Sequence, residues 1–188
     1  MMEDGMANYA EYRVSKVSKP IDVIMRIGLI FSWILIALAP VLIGLSSTSL
    51  TGIIWIFPVT AALAVPFGRH TFRMTYIEYE YAVVSGVMRF DIINGASKRK
   101  PWFEVRIGDM TLLAPFQGGY KMQAEQVMED KNAKVYFAVS SLESPDIYVG
   151  IYRNEKGEEC IVLFEAINKM LKIAKFYNRN TVVEKVRF

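Results

Sequence analysis

The alternation of apolar and polar positions changes character once along this chain. Positions 27–68, between Arg26 and Arg69, are 42 residues without an Asp, Glu, Lys, Arg or His. A bilayer core of about 30 Å takes roughly 20 apolar helical residues. One helix over the whole run is too long, and two fit if the chain turns near its middle. Ser46-Ser47-Thr48-Ser49, followed by Thr51-Gly52, is a polar cluster of poor helix propensity that predicts this turn. The expected spans are residues 27–45 and 50–67. Two buried helices of a soluble core would keep a polar stripe, whereas 27–45 offers only Ser32 and small residues. Pro40 and Pro58 are expected to kink their helices. Gly28, Gly44, Ala37 and Ala39 offer small surfaces for close helix contact, and Trp33 and Trp55 suit interfacial positions. Ion and proton pathways normally need an ionisable group inside the membrane. Neither span has one, which points to an anchor or an assembly surface rather than a transport path.

Ala37-Leu38-Ala39 has the small-x-small form of a leader cleavage site. Pro40 would follow the cut, and the 26 preceding residues mix acids with bases, so the first span is expected to be retained as a signal anchor. Arg13, Lys16, Lys19 and Arg26 lie before the run, Arg69 and Arg73 after it, and no base lies between the spans. The bias of Lys and Arg towards cytoplasmic flanks predicts a cell-membrane protein with both termini in the cytoplasm and a small loop outside. The lone Cys160 suits that reducing compartment.

After Phe67 the period becomes two. Ile77, Tyr79, Tyr81 and Val83 alternate with Glu78, Glu80 and Ala82, which predicts a half-buried strand. Ser85-Gly86 reads as a turn, and Met88, Phe90 and Ile92 form the next apolar face. Asn94-Gly95 is a favoured two-residue hairpin turn, which would set Asp91 opposite Lys98. Phe103, Val105 and Ile107 face inward on the return strand, with Glu104 and Arg106 outward. Met110 to Phe116 is a short apolar segment, and Tyr120 to Asn132 is polar, a loop or a short helix. Val135, Phe137 and Val139, then Ile147, Val149 and Ile151, then Cys160 to Phe164 mark three more strands. Ile167, Met170, Leu171, Ala174 and Tyr177 form one face of a helix ended by Asn178 or Asn180. The reading is an α+β chain: a segment 1–26, a transmembrane helical hairpin 27–68, and a cytoplasmic domain 69–188. That domain has about seven antiparallel strands in a bent sheet or partly open barrel, capped by a C-terminal helix.

With 188 residues, 53% of them hydrophobic and 22% charged, the chain is large enough for one ordinary domain and too apolar for global disorder. A net charge of +3 is small for a nucleic-acid binder. One Cys and one His exclude an internal disulfide framework and a Cys/His zinc site.

The strand order followed by a helix resembles the pleckstrin-homology-like (PH-like) superfold. Two spans running into Glu78-Tyr79-Glu80-Tyr81, then Gly86 to Ile93, then Lys98-Arg99-Lys100, resemble bacterial two-span membrane proteins with a cytoplasmic PH-like domain. Val162-Leu163-Phe164-Glu165 before the last helix agrees with this, and the likeness covers most of residues 20–178. It implies a membrane-anchored PH-like fold and carries no activity with it.

Candidate chemistry is sparse. Gly118-Gly119 lacks the surroundings of a phosphate loop. His70 is expected in an interfacial linker, and Cys160 in the core, with no second histidine to activate it. Glu78 and Glu80 read as a solvated face or as salt-bridge partners, and Asp91, Glu104 and Asp109 as too dispersed for a metal. No enzyme, metal or cofactor is expected. The suggestive constellation is Lys98, Arg99 and Lys100 beside Trp102, a basic and aromatic surface suited to anionic lipid headgroups. A solvated strand end is the competing reading. Two function classes remain: a membrane-anchored binding module for headgroups or a protein partner, and a structural subunit, homo-oligomeric or in a larger complex, assembled through its spans.

Overall fold

A computed structural model of the protein describes residues 8–18, 20–46, 50–95 and 99–183. They divide into two compact units, a helical one centred on residues 17–77 and one built on the strands.

The helical unit contains α1 (Pro20–Ser46) and α2 (Leu50–Met74). Proline at the first helical position forfeits no hydrogen bond, and Asp22 in the first turn meets the positive end of the helix dipole. The two helices pack antiparallel. A Cβ on Gly68 would lie 3.7 Å from the Trp33 ring, and Trp33 donates its indole N–H to Thr71 Oγ1 at 3.2 Å. Arg26 donates to the Thr75 carbonyl at 2.7 Å, and its guanidinium stands 3.9 Å over the Tyr76 ring. Among the described glycines of the two helices, Gly68 faces the Trp33 ring at ordinary contact distance, while Gly28, expected in a close helix contact, has open space beside it. Ser32 returns its hydroxyl to the Gly28 carbonyl, as a polar side chain on an apolar helix must.

Among the described residues, one stretch is long and apolar enough to cross a bilayer, Pro20–Ala39 within α1, and none of its apolar window is buried. It starts before the expected span and includes Asp22 and Arg26. The α2 helix begins at Leu50, so Thr51-Gly52 is helix rather than turn, and it runs on through Pro58, Pro66, Arg69, His70 and Arg73. His70 is thus an exposed helical residue, not a linker. A second span is not shown, and Ser47, Thr48 and Ser49 of the expected turn lie outside the described residues.

The strand unit holds two four-stranded sheets and no closed barrel. Sheet one is ordered β1 (Tyr9–Ser15), β2 (Ile77–Val84), β3 (Val87–Asn94), β4 (Lys100–Arg106). The segment expected merely to precede the helices supplies β1, whose Ala10 and Val14 enter the core. Its pairing with β2 sets Ser15 opposite Glu78, so both helices are inserted into a β-hairpin. Ser85 and Gly86, with φ of 49° and 81°, make the β2–β3 turn, and Tyr177 stacks so close to Gly86 that a Cβ there would lie 2.7 Å from the ring. Asn94-Gly95 does not make the expected two-residue turn. A bulge at Phe90/Asp91 sets Asp91 opposite Pro101 and Ile92 opposite Lys100. Gly95 instead donates its N–H to the Tyr76 carbonyl at 2.8 Å.

Sheet two is ordered β5 (Met110–Pro115), β7 (Ile147–Arg153), β8 (Glu159–Glu165), β6 (Lys134–Ala138). Residues 69–188 hold the expected seven strands, β2 to β8, with β1 added from outside that range; the parallel β6–β8 pairing departs from the expected all-antiparallel order. The chain leaving β6 passes β8 to reach β7, which then returns as the β7–β8 hairpin; alternation along a strand encodes no direction. The central strands are buried on both faces. Cys160, Val162 and Phe164 face the core shared with sheet one and α4 (Asn168–Tyr177). Ile161 and Leu163 face a second core that includes Ala124 of α3 (Lys121–Glu129), the segment left open between loop and helix. Of the alternating residues Val135, Phe137 and Val139, Phe137 is exposed, while Tyr136 packs on the first core.

Tyr81, Phe90 and Phe164 join the sheets, with ring centroids 5.6–5.8 Å apart. The Tyr81 hydroxyl donates to the Ala138 carbonyl at 3.0 Å, and burial pushes its pKa well up, so it remains a donor. Asn178 ends α4 as expected: its backbone N–H reaches the Ala174 carbonyl, and its side-chain amide reaches those of Ile107 and Met110.

Since Ser15 and Glu78 are cross-strand neighbours, replacing residues 17–76 with a short Gly/Ser link should leave a domain that unfolds in one cooperative transition in urea. A fragment of residues 69–188 alone lacks β1 and should lose that cooperativity. In the linked domain, Leu171→Ala should cost roughly 2–5 kcal/mol, since Leu171 is buried on the α4 core face. An equally cooperative melt of the 69–188 fragment would show β1 to be dispensable.

Candidate functional site

Of the expected basic and aromatic surface, Lys98 lies outside the described residues. Arg99 is engaged within the protein. Its Nε lies 2.9 Å from Glu80 Oε1 and its Nη2 3.0 Å from Glu11 Oε1. Glu80 is only 2% exposed, although it points away from the apolar face of β2. Arg13, its direct cross-strand neighbour on β1, donates from Nη2 at 2.7 Å and Nε at 3.1 Å. One buried carboxylate is thus clamped by two half-exposed guanidinium groups, one from each side of sheet one. The charge-assisted hydrogen bonds offset the desolvation of Glu80. The hydrogen bond from the Tyr9 hydroxyl, with those from its other neighbours, holds the Glu11 carboxyl below its ordinary range. The hydrogen bond to Glu80 raises Arg13 further. Glu80 as a salt-bridge partner was legible; its burial was not, because Arg99 arrives from far along the chain.

Lys100 is exposed at the start of β4. Trp102 is half-buried, stacked on Tyr79 at 5.9 Å and edge-on to Phe103 and Tyr136 at 5.0 and 5.4 Å. It belongs to an aromatic layer packed against the core.

Beside this layer runs a groove of about 670 Å³ between the edge strands β4 and β6 and the β7–β8 turn. Phe103, Tyr136 and Tyr152 line it, together with Arg106, Arg153 and Lys156. Glu104, Asp109 and Glu155 also lie along it, so its charges nearly balance. Lys134 is paired with Glu158 at 2.6 Å, which raises the lysine and lowers the carboxyl. Asn154 fixes the adjoining turn, accepting from the N–H groups of Lys156 and Glu158 at 3.0 Å. Burial raises both the Tyr152 hydroxyl and the Cys160 thiol, which suits packing rather than proton transfer or nucleophilic attack. Cys160 lies in the core of β8, as expected. Glu165, buried at the end of β8, accepts from the Ser140 N–H at 2.8 Å, a structural role that its place in Val162-Leu163-Phe164-Glu165 did not reveal.

The chain belongs to a family of bacterial PH-like domains: the family model described as "Bacterial PH-like domain (DUF6106)" matches residues 6–184. No curated protein and no solved structure matches it. The matched range takes in β1 and both helices as well as the sheets.

The clamp makes an asymmetric prediction. In the linked domain, Arg13→Gln with Arg99→Gln leaves a buried carboxylate without a cation and should cost about 3–5 kcal/mol. Glu80→Gln leaves two arginines already half in water and should cost only about 1–2 kcal/mol. Urea midpoints decide, and equal losses would mean that Glu80 is not the buried member of the cluster.

Proposed function

We propose that this protein is a membrane-anchored, non-enzymatic binding module. Its PH-like domain stands at the inner surface of the bacterial cell membrane and contacts anionic lipid headgroups or a protein partner. The observation that carries this reading is one chain joining a PH-like domain to the apolar stretch Pro20–Ala39, none of whose apolar window is buried. Ile24, Ile27, Phe31, Leu35 and Leu38 all stand exposed on α1, a run of apolar side chains that calls for a cover. Lipid is the cover that also suits its length. We take α2 as the second crossing, over about residues 50–67, with both termini cytoplasmic, because all 22 Lys and Arg flank the uncharged run. Since Arg99 is held by Glu80 and Glu11, headgroup contact around β4 would fall to Lys100, Lys98 and the rim of Trp102.

The same exposed apolar faces of α1 also suit neighbouring spans, which favours a second reading as an accessory subunit of a larger membrane complex. Particle size in mild detergent separates the two: a monomer-sized particle favours the module, and a stoichiometric co-purifying partner favours the subunit.

Orientation is tested by labelling. Cys160 is buried, so the native chain should stay silent to a membrane-impermeant maleimide until it is denatured. Ser47→Cys should then label in intact cells and Lys185→Cys only after lysis. Labelling of Lys185→Cys before lysis would overturn the orientation. Protection of Ser47→Cys until lysis would remove the outside loop, and with it the second crossing.

A further inference from the structure

We infer that the outer face of α4 is an electrostatic docking surface for anionic phospholipid, distinct from the Lys98–Trp102 region. This rests on the membrane-anchored reading above and deepens it by naming the surface that meets the headgroups.

The inner face of α4 is settled: Met170, Leu171, Ile173 and Ala174 are buried in the core. Its outward stripe is Lys169, Lys172 and Phe176, at spacings of three and four that put them on one side of the helix. All three are exposed, and Arg179, just past the helix end, is exposed too. None of Lys169, Lys172 and Arg179 has an ion-pair partner among the described residues. That sets them apart from Arg13, Arg89, Arg99 and Lys134, each tied to a carboxylate. No Asp or Glu occurs from Ala166 through Val183. By contrast α3, the other amphipathic helix of the domain, carries Glu125 and Glu129 and pairs Lys121 with Glu125.

Within this basic stripe stands Phe176, 77% exposed, with its ring edge-on to Tyr177 at 5.2 Å. An exposed aromatic costs free energy in water unless something covers it. A helix with one face in the core and the other made of cations around an aromatic matches the chemistry of a bilayer interface: the cations meet phosphates, and the ring enters the headgroup–acyl boundary. Each such cation contributes about a fivefold factor to docking, and the attraction weakens as salt screens it.

The test uses the full-length chain with an environment-sensitive fluorophore on Phe176→Cys, and separately on Met122→Cys of α3, which is also exposed. The buried Cys160 does not compete for label. Each protein is reconstituted into phosphatidylcholine vesicles with and without phosphatidylglycerol. The probe at 176 should shift to the blue only with phosphatidylglycerol and lose the shift at high salt, while the probe at 122 stays wet in both. Lys169→Gln, Lys172→Gln and Arg179→Gln together should lower the docked-to-free ratio on the order of 100-fold. A probe at 176 that stays wet with phosphatidylglycerol, or dries equally in phosphatidylcholine alone, overturns the proposal. So does a probe that responds to soluble polyglutamate and not to lipid, which would assign the stripe to an acidic protein. Flotation separates this from the anchoring reading. A chain floating with both vesicle types but unshifted at 176 refutes only the α4 surface. One floating only with phosphatidylglycerol supports the surface and refutes the anchor, and one floating with neither refutes both.

Discussion

The edge strand of sheet one is held by a pairing made across a long gap. Strand β1 lies against β2 with Ser15 opposite Glu78, although 62 residues separate them. Closing an unstructured loop of that size carries an entropic cost that must be met before any cross-strand bond forms. The helices reduce it. Because α1 and α2 run antiparallel, Arg26 reaches Thr75 and Tyr76, so the segment enters and leaves the helical unit at one end. The gap that β1 has to close is then a few residues at each side. Arg13 and Glu80 add a charge-assisted bond at the pairing itself.

Much of the strand unit was legible because its strands follow period two or run continuously apolar, and because turn residues separate them. The buried run Ile147–Tyr152 and the stretch Cys160–Phe164 are what strands covered on both faces look like. The α4 core face was also legible from its spacing. The β1 strand carried a signal as clear as any of these: Ala10, Tyr12 and Val14 alternate with Glu11, Arg13 and Ser15. Its partner lies beyond the helices, so sequence neighbourhood suggests no pairing there. Asn94-Gly95 failed for a different reason. A turn dipeptide sets only a local preference, which a bulge at Phe90/Asp91 and the bond from Gly95 to Tyr76 override.

The basic residues show why counting charges along a sequence differs from counting charges that a partner can use. Lys98-Arg99-Lys100 is the denser cluster in the sequence, yet Arg99 is spent inside the fold on Glu80 and Glu11. The lysines of α4 are dispersed by helical spacing and look like the ordinary polar side of an amphipathic helix. Only the absence of any acid between Ala166 and Val183 separates them from a salt-bridged solvent face. Availability is decided by which carboxylates the fold brings near, and on Glu80 converge Arg13 of β1 and Arg99, which lies just before β4.

The open side of the fold follows from the same accounting of edges. Two sheets joined by Tyr81, Phe90 and Phe164 share a core without pairing strand to strand, so β4 and β6 each keep a free edge. A free edge invites pairing with another chain unless it is blunted. On β4, Pro101 removes one donor, and Trp102 and Phe103 lie against Tyr136 of β6. The edge of β5 is covered by the chain at Val182, whose neighbours exchange backbone bonds with Leu113. The groove between β4 and β6 is therefore the space that strand pairing would fill in a closed barrel, lined here by Phe103 and Tyr136, whose rings meet across it.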